Sequence, residues 1–174
     1  DVDFGGAQAA DTAGGAVHMM TIHKSKGLEF PAVIIANAGK ENNQLDIRSN
    51  IVMDEKLGLG LELRSIEERT VKTTAIMETI RAKKKRDLFA EEMRLLYVAI
   101  TRAKEKLVII GTDRNPESAE KFWNMELFNP EMTIPYADFI RANSFMKLTG
   151  LACVRHLDDE PKLFSFERAE PAEM

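Results

Sequence analysis

Two stretches, the apolar run PAVIIANA (31–38) and KLVIIGT (106–112) with its apolar LVII, constrain this chain more than anything else in it. Each has strand length and is rich in β-branched residues. Such runs are the mark of strands buried on both faces, as in a parallel sheet covered by helices. VHMMTI (17–22) reads as a further short strand, followed by the polar loop HKSKG, where Gly27 permits a turn. NIVMDEKLGLGLEL (50–63) predicts two short strands around Gly58 and Gly60, a hairpin. From Ser65 to Lys104 there is no proline or glycine, which predicts helix. Forty residues is long for one helix, so two are expected, breaking near 85–90. Asn115-Pro116 starts another that ends near Asn129-Pro130, and a last one runs over 136–149, closed by Gly150. Strand and helix in alternation predict an α/β layer.

Composition narrows the class. Apolar residues make up 44% and charged residues 30%, enough for a core and against wholesale disorder. No apolar run approaches the roughly 20 residues of a membrane span. Cys153 is the one cysteine, so no internal disulfide or cysteine-based zinc cage is expected, and a reducing cytoplasm is. The net charge of −4 gives no global attraction to nucleic acid, so any such contact must be local. Residues 1–16 (DVDFGGAQAADTAGGA) and 161–174 read as linkers. With no methionine at the start, the expectation is a piece of something longer.

Three constellations carry chemistry. In the first, the loop TIHKSKGLEF (21–30) lies between two predicted strands, the place where open α/β sheets hold ligands. His23, Lys24, Ser25 and Lys26 suit phosphate oxygens, Gly27 admits close backbone approach, and Glu29 suits a ribose hydroxyl. A solvated polar loop is the plainer reading. In the second, EEMRLLYVAITRAKEK (91–106), residues 95–100 are apolar nearly all round and predict a buried helix segment. Arg94 and Arg102 then lie at its margins, and each needs a facing anion. That anion is either a carboxylate of the same chain or a bound phosphate, which the planar guanidinium matches. In the third, the basic run RAKKKR (81–86) is either a solvated helix face or a phosphate-backbone contact.

At these residues the chain resembles the UvrD/RecB-type superfamily 1 DNA helicases. HMMTIHKSKGLEFPAVII is similar to their motif V, and EEMRLLYVAITRAKEKLVII to their motif VI. The likeness runs over about 17–156 and is nearest to the AddA (RexA) branch of the helicase–nucleases. It implies part of a second RecA-like motor domain over 17–112, with a mostly parallel sheet. Residues 1–16 would then be the tail of an inserted subdomain, 113–160 a helical extension and 161–174 a linker. It implies ATP in the cleft against a first motor domain, and DNA, single- or double-stranded, as substrate. A partner subunit of the AddB/RexB kind is also implied.

The resemblance also assigns roles. Arg102 matches the arginine finger that reaches the γ-phosphate, and Arg94 the arginine that couples the domains. Glu29 matches the ribose contact and Gly27 the glycine near the phosphates. Thr21, His23 and Lys26 match positions that touch the single strand or link it to the ATP site. Tyr97 matches an aromatic of structural role. No G-x-x-x-x-G-K-[ST] occurs, so the triphosphate and Mg²⁺ are expected on the first motor domain. No metal site is expected here: Asp158-Asp159-Glu160 reads as a solvated turn. The rival reading is a non-catalytic DNA- or partner-binding module on the same scaffold.

Overall fold

A computed structural model describes residues 16–129, 131, 133–159 and 162–169. Most of the first predicted linker, Glu160, and parts of the last segment lie outside the described residues. The strands are β1 (Phe30–Ile35), β2 (Ile51–Asp54), β3 (Gly58–Ser65), β4 (Thr70–Thr73) and β5 (Ala103–Ile109). The helices are α1 (Leu45–Arg48), α2 (Ala75–Ile100), α3 (Pro116–Asn124), α4 (Tyr136–Arg141) and α5 (Phe145–Cys153).

β1 and β5 pair in parallel, with Val33 opposite Leu107 and Ile35 opposite Ile109. They are the two apolar runs, and α2 is the crossover that parallel pairing requires. The remaining strands form an antiparallel β2-β3-β4 meander on the way. The molecule is thus mixed α/β with a parallel pair, as the alternation predicts.

Several details differ from expectation. VHMMTI forms no strand: Val17 and Met19 are almost fully exposed, and no described strand lies beside them to take the ladder hydrogen bonds. β1 is covered on one face only, since Val33 and Ile35 pack toward Ala99 while Ile34 is 62% exposed. Residues 65–73 are strand and turn rather than helix; the β-branched run TVKT signals β4. The helix over 136–149 is two helices. Ser144, fully buried, restarts the chain by accepting a hydrogen bond from Lys147 N at 3.3 Å. Gly150 closes nothing: a Cβ there would meet the Trp123 indole at 2.2 Å, so glycine is what lets α5 lie on that ring.

α2 is one helix of 26 residues, with no break at 85–90. The Thr74 hydroxyl caps it by accepting from Met77 N at 3.2 Å. Phe89, buried near mid-length, packs against Phe139 with the rings tilted and their centroids 5.8 Å apart. The basic run does not repel itself apart because part of it is structural. Arg81 donates to Ile47 O, Ser49 O and Glu62, and Lys83 pairs with Asp54 and Asp87. These contacts pin the meander to the helix. Gly60 completes the fit, because a Cβ there would meet Met77 Cα at 2.6 Å.

Asp54 holds the hairpin at its turn, accepting from Lys56 N at 3.0 Å and Leu57 N at 3.1 Å. The hydrogen bond from Lys83, then that of Lys56 N, lowers its carboxyl from 3.8 to about 2. A depressed folded pKa contributes stability above the unfolded value and loses it as pH falls through the folded one. The acid limb of stability should therefore steepen between pH 3.8 and about 2. Asp54→Asn should flatten that limb in a pH series of urea midpoints; identical limbs would show the pair contributes nothing.

Candidate functional site

Residues 21–28 form a compact turn. Ser25 N donates to Thr21 O and Ile22 O at 3.2 Å, Leu28 N to Ser25 O at 3.0 Å, and the buried Ser25 hydroxyl to Ile22 O at 2.7 Å. Thr21 also receives Lys24 N on its hydroxyl at 3.4 Å. Gly27 exits the turn at φ +84°, with no atom of the described residues within 4 Å of where a Cβ would stand. Its glycine serves the left-handed dihedral rather than a crowded approach, and among the described residues nothing fills the space beside it.

The turn is tied to the end of α2 by Arg102. Nε donates to Val98 O at 2.9 Å, Nη1 to Leu28 O at 2.9 Å, and Nη2 to Thr101 Oγ1 at 3.0 Å. Its backbone carbonyl accepts from Phe30 N at 2.9 Å. The guanidinium makes no direct ion pair with a described carboxylate, and its three acceptors are neutral oxygens. Of its five N–H groups, two remain for an anion. Beside it, Glu29 pairs with Lys104 at 2.9 Å. The Lys104 hydrogen bond and charge, with help from the Arg102 charge, hold Glu29 below the ordinary carboxylate range. Glu29 is an acceptor at neutral pH.

On the other side of the turn a groove of about 520 Å³ opens between it and α2. His23, Lys26, Arg94 and Tyr97 line it. Arg94 is 73% exposed and paired with Glu91 at 2.9 Å. The expected buried segment is therefore buried on one side only, at Leu96 and Ala99, and Arg94 lies on a wet face. Tyr97 is 66% exposed, so it is no core residue but the groove's aromatic wall.

The predicted residues thus fall into two adjoining groups. Gly27, Glu29 and Arg102 meet at the strap that leads into β1. His23, Lys26 and Arg94 line the groove, and Thr21 starts the turn. Sequence reasoning missed Lys104 and Thr101. The parallel register, with Phe30 opposite Ala103, is what sets Glu29 beside Lys104, and that register is not visible in a one-dimensional pattern. Among the described residues no cluster of His, Cys, Asp and Glu is placed to hold a metal ion. His156 Nδ1 lies 2.7 Å from Asp159 Oδ2, at the surface. Cys153 is half-buried, and burial pushes its thiol up, away from reactivity. Among the described residues no helix is long and apolar enough to cross a membrane.

Both groups lie within residues 6–114, which the UvrD-like helicase C-terminal domain family matches. The chain is 43% identical to an ATP-dependent helicase/nuclease subunit from Clostridium botulinum, over 90% of this chain and 12% of that protein. It is 42% identical to the protein of the same name from Anoxybacillus flavithermus, over 88% of this chain and 13% of the relative. For the Bacillus licheniformis protein the figures are 36%, 98% and 14%. The chain spans about one-eighth of the length of the curated relatives it matches.

Proposed function

Because the chain belongs to the UvrD-like helicase C-terminal domain family, we propose that it is half of a composite ATP site in a helicase–nuclease of the AddA type. In this reading the chain carries the later part of a second RecA-like motor domain. The parent couples ATP hydrolysis to movement along single-stranded DNA in the repair of double-strand breaks, in the cytoplasm. A first motor domain of the same polypeptide holds the triphosphate and Mg²⁺. A second subunit of the AddB/RexB kind completes the enzyme.

One observation carries the proposal: Arg102 is held at the junction of turn and helix by neutral acceptors, with two N–H groups to spare. A guanidinium so placed can exchange carbonyl oxygens for phosphate oxygens without first breaking an ion pair. Glu29, ionised and exposed, accepts from a ribose hydroxyl. Gly27 leaves the space beside the strap open to phosphates. Lys26, His23 and Thr21 take the strand's backbone, and Arg94 links the groove to the moving lobe. ATP supplies the phosphoryl group, and Arg102 stabilises the charge that develops on it. Because Arg102 bonds Leu28 O, any movement of its side chain releases or tightens the strap between the two groups. That is the physical route by which turnover alters the grip on DNA. The test is ATP turnover by the full-length parent carrying Arg102→Ala, with loss of turnover expected.

A further inference from the structure

The β2-β3-β4 meander is built inside out. An antiparallel sheet with one covered face normally turns its apolar side chains to the cover and its polar ones to water. Here the face on α2 carries Val52, Asp54, Gly60 and Glu62. Ile51, Met53, Leu59, Leu61 and Leu63 point away from α2, each between 41% and 67% exposed. They are contiguous, with Ile51 opposite Leu61 and Met53 opposite Leu59.

A slip of one residue would bury the leucines against the helix, yet the inner face forbids it. Gly60 fits only where Met77 leaves no room for a Cβ, Glu62 meets Arg81, and Asp54 meets Lys83. The register is fixed by groups whose common effect is to hold five aliphatic side chains outward. Large contiguous apolar patches of this kind mark interaction surfaces.

We propose that this face is a docking surface for an aliphatic face of another domain of the same parent polypeptide. The chemistry selects a protein surface. Lys72, opposite Leu63 at its border, pairs with Glu68, and the five side chains include neither the aromatic rings nor the cations that single-stranded nucleic acid needs. Chain length selects a partner in cis. About seven-eighths of the matched relatives lies outside this chain, and a tethered face competes at far higher effective concentration than a separate molecule. The inference does not depend on the nucleotide site.

The test places the photoreactive residue p-benzoylphenylalanine in the full-length parent, as Leu61→p-benzoylphenylalanine, with Glu67→p-benzoylphenylalanine in the exposed β3-β4 turn as control. ATP turnover by both variants reports that the parent remains folded. After irradiation and digestion, position 61 should cross-link to a peptide of the same polypeptide outside the 174 residues, at several-fold higher yield than position 67. Cross-links to a second polypeptide chain, to DNA, or no more product than at position 67 would overturn the proposal.

Discussion

Arg102→Ala in the full-length parent should lower the turnover of ATP by about 10³-fold or more, the scale of a lost arginine finger. The KM for ATP should change far less, since the interaction is made as charge develops rather than in the ground state. Arg102 also caps the end of α2 through Val98 O and steadies Leu28 O, so truncation carries a structural effect. Arg102→Gln separates the two roles, because it keeps an amide donor for a carbonyl and removes the charge. It should be nearly as slow as the alanine variant, while strand affinity without nucleotide stays near that of the parent. If the glutamine variant turned over normally, Arg102 would be a helix cap and nothing more.

The largest effect on folding should come from Phe89→Ala, at about 3–5 kcal/mol, the cost of removing a fully buried phenylalanine that neighbours cannot refill. Phe89 is 2% exposed and lies where α2 meets Phe139 of α4. It is therefore one link between the helix that carries Arg94 and the helical extension. Urea unfolding followed by the fluorescence of Trp123, the one tryptophan, measures the loss. Tyr97→Ala, on the exposed side of the same helix, is the control and should stay within about 0.5 kcal/mol. A Phe89→Ala loss below about 1 kcal/mol would show that α2 and the extension are not packed as described.

The sequence was most legible where a single residue type had one physical reason to be present. The apolar runs became the parallel pair, the Gly58 hairpin formed, and Asn115-Pro116 capped α3 as written, with the Asn115 side chain accepting from Ser118 N at 3.1 Å. It misled where a decision depended on distant partners. The local pairs of Arg81 with Glu78 and Lys83 with Asp87 are only part of what carries α2 through RAKKKR, because Asp54 and Glu62, which also meet Lys83 and Arg81, come from strands far back in the chain. VHMMTI has strand residues but, among the described residues, no strand beside it. Gly150 looked like a helix stop because the sequence does not show the Trp123 ring above it. In the site, the residue types were readable and their grouping was not. Tyr97 and Arg94 looked like members of a buried helix, and only the packing shows that this side of α2 faces a groove.

The most direct measurement is a structure of the full-length parent bound to DNA and to ADP with a γ-phosphate transition-state mimic. The Arg102 guanidinium should then lie within about 3 Å of the mimic's oxygens or fluorines, the hydrogen-bond distance for a charged pair. Its bonds to Leu28 O and Thr101 should be broken or lengthened. A guanidinium still bonded to Val98 O, Leu28 O and Thr101 Oγ1, with the mimic neutralised by other side chains, would contradict the account.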